Sequence, residues 1–371
     1  MSNTQRKLHG QCGGDNTQMN ASDESAVEVF DDDSTQETEP YLQVSTSNRF
    51  TNRYRILVPV PEQVIADDDP EPIEPVLRSA EALAHEHQGS ILLVGVVTVS
   101  EQRSLDQIKR RVDNNDQGEI ESEAQQAYAR AQEHLESLLD TAERTHIDAA
   151  AHGLLCADYQ MAAGILHTIE RHHCDSVLLT QSTPSRFRQM FDHGAVETVL
   201  ADADCDVFVE NPRSEIGEHG RILLAAGSGP HTGLAAVAAR ALALESAAGI
   251  DVIHVINPDP SGEDRAEARR VLDFISIVLD DVEKVKTEVV EAEDAAAEII
   301  ERSGAHDVAV LGAPTKSALR RFLFGSTPDA VAQQAPSTVL VARQGGGTPS
   351  SVYYRWKRAI EQSEAVVNER S

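Results

Sequence analysis

The sequence predicts an α/β protein made of two tandem copies of one unit, each a five-stranded, mostly parallel sheet flanked by helices. Three observations carry this reading. Short apolar runs rich in Val, Ile and Leu alternate with Ala/Leu-rich helical segments, the pattern of a parallel sheet with crossover helices. The whole alternation occurs twice. The closing segments of the two halves also align without a gap: Asp175 with Asp307, Ser185 with Ser317, Arg188 with Arg320, Val199 with Val331 and Val209 with Val341, a constant offset of 132 (307 − 175).

Residues 1–52 are polar, with "FDDDSTQETEP" and few large apolar side chains, and are expected to stay a disordered acidic tail because they bury too little to offset their ordering entropy. Order is expected from "RYRILVPV", followed by the helix "EPVLRSAEALAHEH" and the strand "SILLVGVVTV". A long charged helix, the short strand "HIDAAAHG", a helix ending near "IERHHC", and the strands "CDSVLLT" and "CDVFVE" complete a first unit over 53–212. The polar "NPRSEIGEHG" reads as the linker. The second unit, 220–345, runs through "GRILLAAGSG", the helix "TGLAAVAARALALESA", "GIDVIHVINPD", a charged helix, "VKTEVVEA", a helix ending near "IERSGAH", "HDVAVLG", the helix "PDAVAQQA" and "STVLVA". After the flexible "QGGGTPS", residues 346–371 end in a helix with Tyr353, Trp356 and Ile360 on one side and Arg355, Lys357 and Arg358 beside them. That helix either packs on its own domain or meets a partner.

Among 371 residues, 61 acids stand against 32 Lys and Arg, for a net charge of −29. A field of this size repels phosphate backbones and excludes sequence-independent nucleic-acid binding. With Lys scarce beside Arg, the pattern looks like that of a cytoplasmic protein from a salt-accumulating halophile, an acidic mesophilic protein being the alternative. No apolar run approaches the ~20 residues that span a bilayer, and the N-terminus lacks the apolar core of a signal peptide, so direct membrane insertion is not expected. Cys12, Cys156, Cys174 and Cys205 show no paired ligand spacing and are read as buried or free thiols. "RHHCD" at 171–175 resembles a metal site only in composition, since adjacent residues rarely point at one ion; a solvated helix end is the expected reading.

Ligands of parallel sheets gather beyond the carboxyl ends of the strands. "DVAVLG" is such an end, and Gly312 lets the backbone turn there. Gly325 precedes Ser326 and Thr327, good N-cap residues for "PDAVAQQA", whose free N–H groups and hydroxyls can donate to phosphate oxygens. Ser326 and Thr327 are equally readable as a plain helix cap. Arg320 and Arg321, between the two loops, lie along a ligand's phosphates or balance nearby surface acids. "GSGPHTG" at 227–233 is a second glycine-rich loop between a strand and a helix, without the dinucleotide spacing.

From about residue 53 to 343 the chain resembles a tandem universal stress protein. Members of that family bind ATP through Gly-x2-Gly-x9-Gly-(Ser/Thr) after the fourth strand, and Gly312, Thr315 and Gly325-Ser326 hold this spacing with Thr in place of the second Gly. The resemblance implies Rossmann-like domains similar to adenine nucleotide alpha hydrolases, with phosphate contacts from Gly312, Thr315, Gly325, Ser326 and Thr327. It further implies a first-strand turn at Ala226 and Gly227 and an adenine contact through backbone near Val255. The family's Asp at the end of the first strand is replaced by Gly227 here and by Pro61 in the first unit. In that unit the motif has decayed to Thr180, Thr183, His193 and Gly194, which implies a structural role without nucleotide. The implied function is a cytoplasmic sensor or regulator, not an enzyme, holding ATP or another adenine nucleotide with Mg. The alternative is a nucleotide-free module resembling the cytoplasmic C-terminal domains of amino-acid or cation-chloride transporters, with such a transporter as partner. An ATP-cleaving enzyme lacks an identifiable base or metal-binding acid. The two fifth strands, Cys205–Glu210 and Ser337–Ala342, are expected to pair within one chain, and a homodimer of such chains is a further implication.

Overall fold

The computed structural model describes residues 42–46, 54–61, 74–113, 122–144, 150–181, 193–213, 220–313, 327–346 and 357. The first half runs β1 (Leu42–Thr46), β2 (Arg55–Pro61), α1 (Glu74–Glu86), β3 (Ser90–Thr98), α2 (Gln102–Asp113), α3 (Glu123–Arg144), β4 (Ala150–Asp158), α4 (Met161–His172), β5 (Ser176–Thr180), α5 (His193–Asp202) and β6 (Asp206–Asn211). The second half runs β7 (Arg221–Ala225), α6 (Thr232–Ser246), β8 (Gly249–Ile256), α7 (Gly262–Val278), β9 (Val285–Glu291), α8 (Ala295–Ser303), β10 (Val308–Gly312), α9 (Thr327–Gln334) and β11 (Thr338–Arg343).

All these strands belong to one sheet in the order β1-β4-β3-β2-β5-β6-β11-β10-β7-β8-β9. Numbered within each half from β2 and from β7, both halves read 3-2-1-4-5, the doubly wound order of a Rossmann-like α/β unit. Pairing is parallel inside each half, apart from β1. The halves meet where β6 and β11 run antiparallel, and Val209 faces Val341, its own equivalent in the repeat. A strand paired with its counterpart in this way places a local twofold between the two valines. The same hydrogen bond recurs in each half: Arg55 N–H donates to Asp175 Oδ2 at 2.9 Å, and Arg221 N–H to Asp307 Oδ2 at 2.8 Å.

Alternation along the strands splits the core in two. Ile56, Val58, Ile222 and Leu224 face α1, α2, α3, α6 and α7, while Leu57, Leu223, Ala309 and Leu311 face α4, α5, α8 and α9. Both faces are covered, which is why these strands read as continuous apolar runs. The scarcity of aromatics is met by small side chains: Ala235, Ala236, Ala238 and Ala239 of α6 are all buried, letting the helix lie close on the sheet.

One expectation is corrected. Leu42–Thr46 lies inside the stretch read as a disordered tail, yet it forms β1, antiparallel to β4. The physical reason is the open edge of β4, whose unpaired N–H and C=O groups accept even a short strand from a polar segment. Two buried polar residues cap the seam between the halves. Arg343 donates from Nη2 to Ala203 O beyond α5, and Asn211, its equivalent, donates from Nδ2 to Ala332 O on α9. Of the expected C-terminal helix only Lys357 is described, and it pairs with Glu267 on α7 of its own chain. Among the described residues no helix is long and apolar enough to cross a membrane.

Candidate functional site

In the second half β7 is the middle strand, and the chain leaves its two sides on opposite faces: α6 lies against one core and α9 against the other. The carboxyl ends of β7 and β10 therefore bound a topological switch point, where departing helices open a crevice. Leu311 is in register with Ala225, so Gly312 ends β10 beside Ala226. Ala226 in turn donates its N–H to Ile253 O at 2.9 Å, which ties the end of β7 to β8. Gly312, Ala226, Gly227 and Val255 thus share one edge of the sheet. Thr327 opens α9, the helix that follows β10 on the opposite face from α6. Thr315, Gly325 and Ser326, with Arg320 and Arg321, lie outside the described residues.

Gly312 has a packing reason as well as a place. A Cβ there would stand 3.0 Å from His231 C and 3.2 Å from Thr232 N, so the glycine lets the start of α6 rest directly on β10. The Thr232 hydroxyl donates to Gly227 O, closing the loop onto the first turn of α6. His231 is buried, and its Nδ1 accepts the N–H of Gln344 at 3.0 Å, fastening the loop to the end of β11. His254, also buried, has Nδ1 at 2.7 Å from Ala226 O. A carbonyl only accepts, so that nitrogen carries the proton. Burial holds the His254 imidazole below its ordinary pKa, leaving the ring neutral at pH 7. His254 was not legible as part of the edge, because a single His in an apolar run carries no spacing signal, whereas His231 lies in the glycine-rich loop already noted.

The loop itself stands open. Gly227 and Ser228 are exposed. Among the described residues, a Cβ at Gly229 would meet nothing within 4 Å, and at Gly227 the nearest atoms would be Gly229 N at 3.9 Å and Thr232 Oγ1 at 4.0 Å. The room above this backbone is the chemical opportunity: a ligand can approach main-chain groups that a side chain would cover. In the first half Thr180 is buried at the end of β5, His193 and Gly194 start α5, and Thr183 lies outside the described residues.

One other polar cleft is internally paired. A cleft of about 490 Å³ at the amino ends of β7, β8 and β9 holds Arg302 on Glu288 and Glu298 at 2.7 and 2.6 Å, and His306 on Asp251 at 2.9 Å. Among the described residues the "RHHCD" segment gathers no ligand set. Burial, aided by the nearby Arg55 cation, pushes His172 down to about 4, while burial pushes the Cys174 thiol up to about 12.

Residues 218–343 match the family model described as the Universal stress protein family. Among solved structures the chain is similar to a universal stress protein from Archaeoglobus fulgidus DSM 4304, with a TM-score of 0.51 and 15% identity over 79% of this chain and 97% of that one. It is also similar to a protein of Pseudomonas aeruginosa UCBPP-PA14 assigned to the universal stress proteins, with a TM-score of 0.50 and 17% identity over 79% of this chain and 94% of that one. No curated protein matches the sequence. At these identities the structural likeness speaks for the fold, and it extends across both halves. Residues 218–343 thus match the universal stress protein family model and follow a first half of the same strand order.

Proposed function

We propose that the chain is a cytoplasmic, non-catalytic regulatory module whose second half takes an adenine nucleotide, ATP among them, in the crevice between β7 and β10. The first half serves as its structural partner. One observation supports the reading: the Gly227–Gly229 loop lies at the switch point with, among the described residues, open space over its backbone. The base lies toward the Val255 end of β8, where main-chain contacts are indifferent to side-chain identity. The phosphates lie toward Gly312 and Thr327, with Thr315, Gly325 and Ser326 completing the set by sequence. None of Ala226, Gly227, Val255, Gly312 and Thr327 carries a carboxylate, so magnesium enters this reading only as part of the nucleotide, through hydroxyls such as that of Thr327.

Titration calorimetry of the full chain with ATP, ADP and AMP in molar KCl tests this. Gly227→Val is the informative variant, because a Cβ there disturbs no neighbour among the described residues yet covers the loop. Binding to the native chain that disappears in Gly227→Val is the expected result; binding that survives the substitution refutes the location. A second reading, a nucleotide-free structural module acting through a homodimer or a membrane transporter, is favoured by the packing of α6 on Gly312, which accounts for that glycine without any ligand. Absence of heat with all three nucleotides leaves that second reading standing.

A further inference from the structure

The local twofold makes a prediction about α1 and α6 that the side chains break. The two helices end alike: Gln88 and Ala247 both sit at φ 51°, and Gly89 N–H donates to Ala84 O at 2.8 Å as Ala248 N–H does to Ala243 O at 3.0 Å. Counted back from these caps, Glu86 is equivalent to Glu245, and Glu81 to Arg240. Across the seam Arg240 pairs with Glu86 from one guanidinium nitrogen while Nε and Nη2 hold Asp281. Twofold symmetry requires the matching contact, Glu81 against Glu245, and here the cation has been replaced by a second carboxylate. Beside the pair stands His85, with Nδ1 at 2.9 Å from Glu245 Oε2. One ligand atom from each of Glu81, His85 and Glu245 lies within 4.8 Å of the others.

Glu81, at 9% exposure, is the buried member of the three. Glu81 and His85 are i and i+4 on one face of α1, the spacing that brings two side chains to one point. The third group comes from the opposite half of the molecule. His85 and Glu245 remain 36% and 40% exposed, which leaves an entry path and room for water. A net charge of −29 concentrates cations around the whole surface. One imidazole with two carboxylates and an open position is a donor set for a first-row divalent metal, zinc foremost, whereas magnesium prefers oxygen alone. We propose that Glu81, His85 and Glu245 form a zinc-class site that clamps the first half of the chain to the second.

The test uses the full chain with Zn2+ alone, no nucleotide present, and reads thermal unfolding together with equilibrium dialysis. Near-stoichiometric zinc is expected to raise the melting temperature by about 3–5 °C at concentrations ~100-fold above the dissociation constant. Magnesium at the same concentration should not reproduce the shift. His85→Ala should abolish the zinc response. Glu81→Arg should abolish it too, while restoring across the seam the ion pair that Arg240 and Glu86 make on the other side. No zinc-dependent shift in the native chain, or an unchanged shift in His85→Ala, overturns the proposal, the latter because zinc is then held elsewhere.

Discussion

Replacing Glu210 by glutamine should flatten the pH dependence of stability. Glu210 lies in β6 at the seam, opposite Leu340 of β11, and is 3% exposed. Its Oε1 accepts from the Ser79 hydroxyl of α1 at 3.0 Å, and its Oε2 has no hydrogen-bond partner among the described residues. Burial pushes this carboxyl up to about 8, with the Ser79 hydrogen bond pulling weakly the other way. In the unfolded chain the group titrates at ~4.5. Between those two values the folded protein keeps a proton that the unfolded chain has released. The contribution of Glu210 is therefore fully favourable below about pH 4.5 and is eroded as pH rises toward about 8, by ~1.4 kcal/mol per pH unit, with a ceiling of roughly 5 kcal/mol. Glutamine has the same shape, still accepts from Ser79, and does not titrate. In denaturant unfolding from pH 5 to 9, the stability of Glu210→Gln minus that of the native protein should climb with pH and level off near 8. Parallel profiles would refute the reasoning, since they require a carboxylate that ionises alike inside and outside the fold.

Three substitutions probe local geometry. Gly312→Val puts a side chain against the backbone of His231 and Thr232, which cannot yield without moving α6, and should cost about 1–3 kcal/mol in denaturant unfolding, whereas Gly227→Val should cost less than about 0.5 kcal/mol. Asp294 accepts from Ala296 N–H at 2.9 Å and Ala297 N–H at 3.1 Å, so Asp294→Ala should cost ~1 kcal/mol and speed amide exchange in the first turn of α8.

The repeat was readable because its signal is local. Strand runs of a few apolar residues, helices between them, and the Asp175/Asp307 correspondence all sit in short windows, and the paired Arg55–Asp175 and Arg221–Asp307 hydrogen bonds give that correspondence a structural meaning. What escaped the sequence depends on distant partners. β1 forms because β4 offers an edge more than a hundred residues away. Glu210 and Arg343 are residue types that ordinarily mark a surface, and the β6–β11 seam buries them. The spacing of Glu81 and His85 is visible on α1, but Glu245 joins them from 160 positions along the chain, through a symmetry that no window of sequence contains. The sequence nominated Ala226, Gly227, Val255, Gly312 and Thr327, which lie at or near the carboxyl ends of β7, β8 and β10 and at the start of α9. It could not reveal that Gly312 is also demanded by α6, since that requirement arises from close helix–strand approach and not from a turn.

The placement of β11 has a consequence for synthesis. Val207, Phe208 and Val209 emerge from the ribosome well over a hundred residues before Val339, Leu340 and Val341, the strand that covers their flank. During that interval the nascent first half presents a bare apolar ribbon, open to whatever extended segment arrives first, and the chain stays exposed to mispairing until β11 docks.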